Sequence, residues 1–263
     1  MFKTHVIPVL EDNYIFLLHD PTENIAAVVD PAAAAPVLSK LEELGNPDLI
    51  AIFNTHHHQD HIGGNLDLLK KYPDAVVYAS ECDHGDIPGQ DVFLSDGDYV
   101  EFGSRIAKVF HVPGHTRGHI AYYFPPLFEH GAYGDLFCGD TLFAGGCGRL
   151  FEGTAAQMVE SLSKLRALPN NTRVWCAHEY TLNNLDFAAT ITPNDHELQQ
   201  RILKSKELRK VNKPTIPSLM GEEKLTNPFL RFDIPEIQTV IGHIRPELVF
   251  KELRTRKDNY VPS

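Results

Sequence analysis

Apolar positions in the first two-thirds of the chain fall in short runs broken by turn residues, and beyond Cys176 they give way to longer helical spacings. Residues 26–29 form an apolar run closed by Asp30-Pro31 and read as a strand. Residues 36–44 repeat at helical spacing, with Gly45 as the stop. Residues 49–53 are apolar throughout, as expected of a strand covered on both faces. That run leads directly into Thr55-His56-His57-His58-Gln59-Asp60-His61. Gly63-Gly64 then permits a close backbone approach before a helix over 66–71. Further strands are predicted at 75–78, 106–110, 119–124, 136–138 and 173–176, and a helix at 154–168 with Thr154 as its N-cap. Beyond Cys176 the pattern predicts helices at 182–190, 195–211, 235–244 and 249–257, separated by prolines, with no convincing strand. The change of character near His178-Glu179 divides the chain into an α/β domain, 1–178, and a smaller helical domain, 179–263.

Composition narrows the classes. With 263 residues, 43% of them hydrophobic, the chain can bury a sizeable core. A net charge of -11 argues against broad binding to nucleic acid or anionic membranes, and bound cations would cancel part of it. No apolar stretch is long enough to span a bilayer, and the N-terminal residues run into a polar turn at Glu11-Asp12-Asn13 without a signal-peptide pattern. Cys82, Cys138, Cys147 and Cys176 are widely spaced and read as free thiols of a reducing compartment. A cytoplasmic protein is expected.

The histidine run carries the chemistry. Neutral imidazole and carboxylate are donors for zinc, iron or manganese. Four donors from one segment exceed what a single catalytic ion takes, so the run reads as half of a two-metal site. The rest should come from strand ends: His115 in Pro113-Gly114-His115-Thr116, Asp140 in Gly139-Asp140-Thr141, and His178 in Ala177-His178-Glu179. In an extended loop, residues i and i+2 project the same way. His56 and His58 are therefore assigned with His115 to one ion, and Asp60 and His61 with His178 to the other. Asp140 has two oxygens and can bridge both. His57 is expected to lie outside the ligand set, His119 at a strand start or behind a ligand, and His111 in simple packing. Asp30 is a candidate to orient an imidazole, and Cys147 and Trp175 read as buried residues.

Thr55-His56-His57-His58-Gln59-Asp60-His61-Ile62-Gly63-Gly64 resembles the signature of the metallo-β-lactamase superfamily. Cys138-Gly139-Asp140-Thr141-Leu142-Phe143, Gly146-Cys147-Gly148-Arg149, Ala177-His178-Glu179-Tyr180-Thr181 and Leu253-Arg254-Thr255-Arg256-Lys257-Asp258 resemble glyoxalase II, the hydroxyacylglutathione hydrolases. The resemblance implies a metallo-β-lactamase-like αββα sandwich followed by a small C-terminal helical domain that binds glutathione. It also implies two divalent ions, zinc foremost and iron or manganese also accepted. The implied reaction is hydrolysis of S-D-lactoylglutathione to D-lactate and glutathione by a metal-bridging hydroxide, the second step of methylglyoxal detoxification. Arg149, Tyr180, Asn184, Arg254 and Lys257 match the family's glutathione-binding positions, and Phe151 stands where some members have tyrosine. A thiol leaves as thiolate at a pKa of roughly 8.5, so no separate acid is assigned, and Asp60 is expected to help orient the hydroxide. A monomer with a small-molecule substrate, and no nucleic-acid or membrane partner, is expected. The rival readings are a mononuclear-iron persulfide dioxygenase of the same superfamily and a metal-binding scaffold without catalysis.

Overall fold

An antiparallel hairpin opens the chain in the computed structural model, which describes residues 2–127 and 133–261. Met1 and residues 262–263, the outer ends of the two expected domains, lie outside the described residues. β1 (Lys3–Val9) pairs with β2 (Asn13–Asp20) from Lys3 opposite His19 to Val9 opposite Asn13. The polar turn expected at Glu11-Asp12-Asn13 supplies Glu11 and Asp12 to the connection and Asn13 to the start of β2, and neither strand stood out in the apolar pattern. The chain divides into two compact units: Met1–His111, Arg117–Ala132 and Leu136–Gly139 in the first, and Val112–Thr116, Tyr133–Asp135 and Asp140–Ser263 in the second.

In the first unit a six-stranded sheet runs in the order β1-β2-β3-β4-β5-β6, with β3 (Ile25–Val29), β4 (Asp48–Phe53), β5 (Val76–Ser80) and β6 (Gln90–Leu94). Pairing is antiparallel through β1, β2 and β3, and parallel from β3 to β6. The expectation of a doubly covered β4 is met. One face contributes Leu49 and Ile52 to a core with Val28, Val77, Val37 and Leu41 of α1 (Ala34–Glu43), and Leu68 of α3 (Asn65–Lys71). On the other face Phe53 packs against Tyr78 and Tyr122, with centroids 5.3 and 5.2 Å away. Tyr122 belongs to β9 (Ile120–Phe124), which follows β7 (Tyr99–Phe102) and β8 (Arg105–His111) in an antiparallel meander. Its hydroxyl donates to the carbonyls of Asn54 and Tyr78 at 2.9 and 3.1 Å, fixing the strand ends where the histidine run begins. β7 alternates exposed with buried positions and β6 part-buried with exposed ones; neither was anticipated, because so few residues give too weak a period to read.

β10 (Gly134–Gly139) straddles the two units. In the second, Asp135 accepts two hydrogen bonds from Arg173 and one from the Trp175 indole at 2.8 Å, which ties the start of β10 to β13 (Thr172–Cys176). Thr154 caps α4 (Ala155–Arg166) in a reciprocal box with Gln157. A small hairpin joins β11 (Leu142–Phe143) to β12 (Gly146–Cys147). The remaining helices are α5 (Thr181–Ile191), α6 (His196–Lys210), α7 (Met220–Thr226), α8 (Pro235–Ile241) and α9 (Pro246–Asp258). α8 stops three residues earlier than predicted because Gly242 takes a left-handed conformation, φ +82°, that ends the helix. The expectation of no strand beyond Cys176 needs one correction. Ser218–Leu219 form β14, paired antiparallel with β13, a two-residue element too short to leave a pattern.

Candidate metal and substrate site

The histidine run is not extended throughout, and this corrects one premise of the ligand assignment. Beyond His58, whose φ of -63° and ψ of 144° make it the N-cap, Gln59–Ile62 form a helical turn, α2. His56 and His58 still lie on one side, with His56 Nε2 3.0 Å from His58 Nδ1. Asp60 and His61 come together on the helical turn instead, with His61 Nε2 3.6 Å from Asp60 Oδ2. Asp30 lies behind them. Its Oδ1 accepts the Thr55 amide at 2.8 Å, and its Oδ2 accepts the Thr55 hydroxyl at 2.7 Å and pairs with His61 Nδ1 at 2.9 Å. Asp30 reaches this position with a φ of +49°, a left-handed conformation that aspartate tolerates better than most residues. Thr55 Oγ1 in turn sits 3.1 Å from His56 Nδ1. With the Nδ1 atoms of His56 and His61 so engaged, Nε2 is the nitrogen that each ring turns toward the neighbouring donors. Asn13 Nδ2 donates to Asp60 Oδ2 at 2.9 Å.

His57 turns aside to Asp83, Nδ1 to Oδ1 3.1 Å, in keeping with its exclusion from the ligands. His119 stacks on His56 at 4.6 Å, and His111 Nε2 meets the Arg117 carbonyl at 2.8 Å. Asp83 and Asn13 were not singled out in the sequence. A carboxylate 26 residues from its histidine leaves no local signal.

The second unit holds the other three expected ligands as a cluster. Asp140 faces two imidazoles, Oδ2 3.3 Å from His115 Nε2 and Oδ1 3.3 Å from His178 Nε2. His115 Nδ1 donates to the Arg149 carbonyl at 2.9 Å, which turns Nε2 toward Asp140. Tyr180 stacks on His178 at 4.8 Å and 3°, and Phe143 meets the same ring edge-on. A Cβ at Gly148 would lie 1.9 Å from the Asp140 carbonyl oxygen, so only glycine allows this approach. In both units imidazole nitrogens and carboxylate oxygens converge, and the opposite ring nitrogens of His56, His61 and His115 are held by acceptors. That donor set fits divalent cations.

A cavity of about 460 Å³ in the second unit is lined by His115 and Asp140 and by all six expected substrate residues: Arg149, Phe151, Tyr180, Asn184, Arg254 and Lys257. The cations differ in character. Arg149 is largely exposed, 3.7 Å from Asp258. Arg254 is buried. It donates to Asp258 at 3.0 Å and to the Cys147 carbonyl at 2.9 Å. Lys257 donates to the Asn183 carbonyl at 2.9 Å, and burial, then the Arg254 charge, pushes its pKa down to about 8. Asn184 Nδ2 donates to the Ala144 carbonyl at 3.2 Å, and Phe151 is exposed beside His115. Arg256 pairs with Glu252 on the surface. Asp258 and Asn183, which partner these cations, escaped the sequence reading, although Asp258 follows Arg254 at the i,i+4 spacing of a helical ion pair. Cys147 is buried, and burial pushes its thiol up to about 11. All four cysteines are free, and Trp175 is buried, as read.

A model of the metallo-beta-lactamase superfamily matches residues 10–178, and a model of the hydroxyacylglutathione hydrolase C-terminus matches 179–260. A hydroxyacylglutathione hydrolase of Crocosphaera subtropica is 61% identical over 254 residues, 97% of this chain and 98% of that protein. The chain belongs to the hydroxyacylglutathione hydrolase family. It is therefore an enzyme family member of mixed α/β, metallo-β-lactamase fold with a helical C-terminal segment. The crystal structure of ETHE1 from Myxococcus xanthus shares the fold, with a TM-score of 0.64 and 24% identity over 98% of each chain. A protein crystallised in a di-iron-bound form matches with a TM-score of 0.51 and 27% identity, over 67% of this chain and 91% of that one. Membership of this family, with the His/Asp clusters, points to a binuclear divalent metal site.

Proposed function

We propose that this hydroxyacylglutathione hydrolase family member hydrolyses S-D-lactoylglutathione to D-lactate and glutathione, with seven ligands holding two divalent ions. The observation that carries the reading is one cavity lined both by His115 and Asp140 and by the cations Arg149, Arg254 and Lys257. Metal ligands and anion-binding groups there face one volume, as a reactive thioester joined to an anionic carrier requires. His56, His58 and His115 would hold one ion, and Asp60, His61 and His178 the other. Asp140, whose two oxygens face His115 and His178, would complete the set. Residues 1–178 would form the metal-binding domain and 179–263 the glutathione-binding one. Zinc is the first choice of metal. Iron and manganese suit the same donors, and the di-iron form of a 27% identical relative supports a pair.

Divalent cations bound there supply an activated water near neutral pH and polarise the thioester carbonyl. The residues do the rest. Asp30 and Thr55 fix the tautomers of His61 and His56. Asp60, steadied by Asn13, orients the attacking water through a hydrogen bond. Arg149, Lys257 and Arg254 hold the carboxylates of glutathione, and Tyr180 with Asn184 closes the cavity wall. The thiolate departs unprotonated, and no side chain is assigned as its acid. A monomer acting in the cytoplasm without nucleic-acid or membrane partners completes the reading. Among the described residues no helix is long and apolar enough to cross a membrane.

The test is metal analysis of the purified chain coupled to loss of thioester absorbance. Two ions per chain are expected, with turnover that His58→Ala abolishes in a folded protein. One iron with oxygen uptake on a glutathione persulfide would instead favour the dioxygenase, and two ions without thioester turnover would favour the scaffold.

A further inference from the structure

The hairpin β11–β12 has too few ladder bonds to hold its own shape in water. Its backbone is held by side chains of the helical region. Asn227 Nδ2 donates to the carbonyls of Phe143 and Gly146 at 3.3 and 2.9 Å. Glu223 Oε2 accepts the Gly145 amide at 2.9 Å. Glu223 and Asn227 are fully buried and bonded to each other at 3.1 Å, and Arg201, itself buried, pairs with the other Glu223 oxygen. None of these three residues lines the cavity. The hairpin they grip does: Phe143 and Cys147 form its wall. The Cys147 carbonyl accepts from Arg254. At the root, Gly148 N donates to the Thr141 carbonyl at 3.3 Å, next to Asp140. A buried charge pair adds little net stability by itself, and here it ties the Glu223 carboxylate to Arg201 on one side and to the hairpin on the other.

We propose that Glu223 and Asn227 are positioning residues for the glutathione moiety: by gripping the turn of residues 142–147 they set where Cys147 holds Arg254 and how wide the cavity opens. The proposal rests on the functional reading above. Neither residue touches substrate. Loosening the grip frees the Arg254 guanidinium from one of its restraints and displaces Phe143, while Asp140, His115 and His178 keep their own contacts. The effect therefore falls on binding of the carrier and not on the chemical step.

The test compares the metal-loaded full chain with Asn227→Ser, which keeps a side-chain oxygen for the Phe229 amide but cannot reach the hairpin, and with Glu223→Gln. In Asn227→Ser the glutathione Kd and the KM for S-D-lactoylglutathione are expected to rise about tenfold, the factor that loss of one or two buried hydrogen bonds gives. The kcat and the metal content should stay within about twofold, a split that general destabilisation does not produce. Glutathione affinity unchanged in both folded variants, or a fall in kcat at constant KM, would overturn the proposal. Should the variants fail to fold, amide exchange in the unmodified chain decides. Glutathione is expected to slow exchange across 142–147, and exchange unaffected by glutathione refutes the coupling. An unmodified chain that binds glutathione yet leaves the thioester intact would sink the functional reading alone, and the grip would then be judged on Kd.

Discussion

Replacing Asp30 by asparagine separates the charge and tautomer of the His61 imidazole, a proposed metal ligand, from the shape of the site. Asparagine adopts left-handed backbone as readily as aspartate, so the φ of +49° adds no strain. The retained oxygen can still accept the Thr55 amide, at 2.8 Å in the parent. The new amide group would then face His61 Nδ1, where the carboxylate lay at 2.9 Å. A donor facing Nδ1 makes that nitrogen the acceptor and moves the ring proton to Nε2, the atom proposed as ligand. Loss of such an outer partner lowers metal affinity by about 10- to 100-fold, which is about 1.4 to 2.7 kcal/mol. Competition with a chromogenic chelator measures the affinity, nitrogen NMR of the imidazole reads the tautomer, and melting of the metal-free chain controls for folding. Asp83→Asn is the internal control. It touches His57, which is not assigned as a ligand, and should change affinity by less than about threefold. An Asp30→Asn chain that binds zinc within twofold of the parent would refute the tautomer argument.

Three further outcomes are expected. Lys257 loses its charge as pH rises through about 8, so KM for the thioester should climb above that pH, and Lys257→Met should remove that dependence; a pH–KM profile checks it. Asp135→Ala orphans the buried Trp175 indole N–H, while half-exposed Arg173 can turn to water, so urea unfolding should show a loss of about 2 kcal/mol. Gly148→Ala drives a methyl to 1.9 Å from the Asp140 carbonyl oxygen and 3.1 Å from His115 Nδ1, and metal analysis with a thioester assay should show both metal and turnover lost.

Reading the chain in order was most secure where a pattern is long or chemically dense. β4 announces itself through an unbroken apolar run, and the capped α4 and the longer helices α5, α6 and α9 do so because periodicity summed over ten or more residues outweighs local noise, whereas seven-residue α7 went unpredicted. β6, β7 and β14 do not, because strands of two to five residues owe their conformation to the neighbour that pairs with them.

The sequence alone determined the donor types, the segments that carry them and their attachment to strand ends, since those follow from residue chemistry and short-range geometry. It also determined the family, through motifs spread over nearly the whole chain. Only the tertiary structure decided which distant group turns each donor. Asp30 meets His61 across 31 positions, Asp83 meets His57 across 26, and Arg254 meets Cys147 across 107. Hydrogen bonds form wherever packing brings two polar groups together out of water, and nothing in either residue's own neighbourhood along the chain records that meeting.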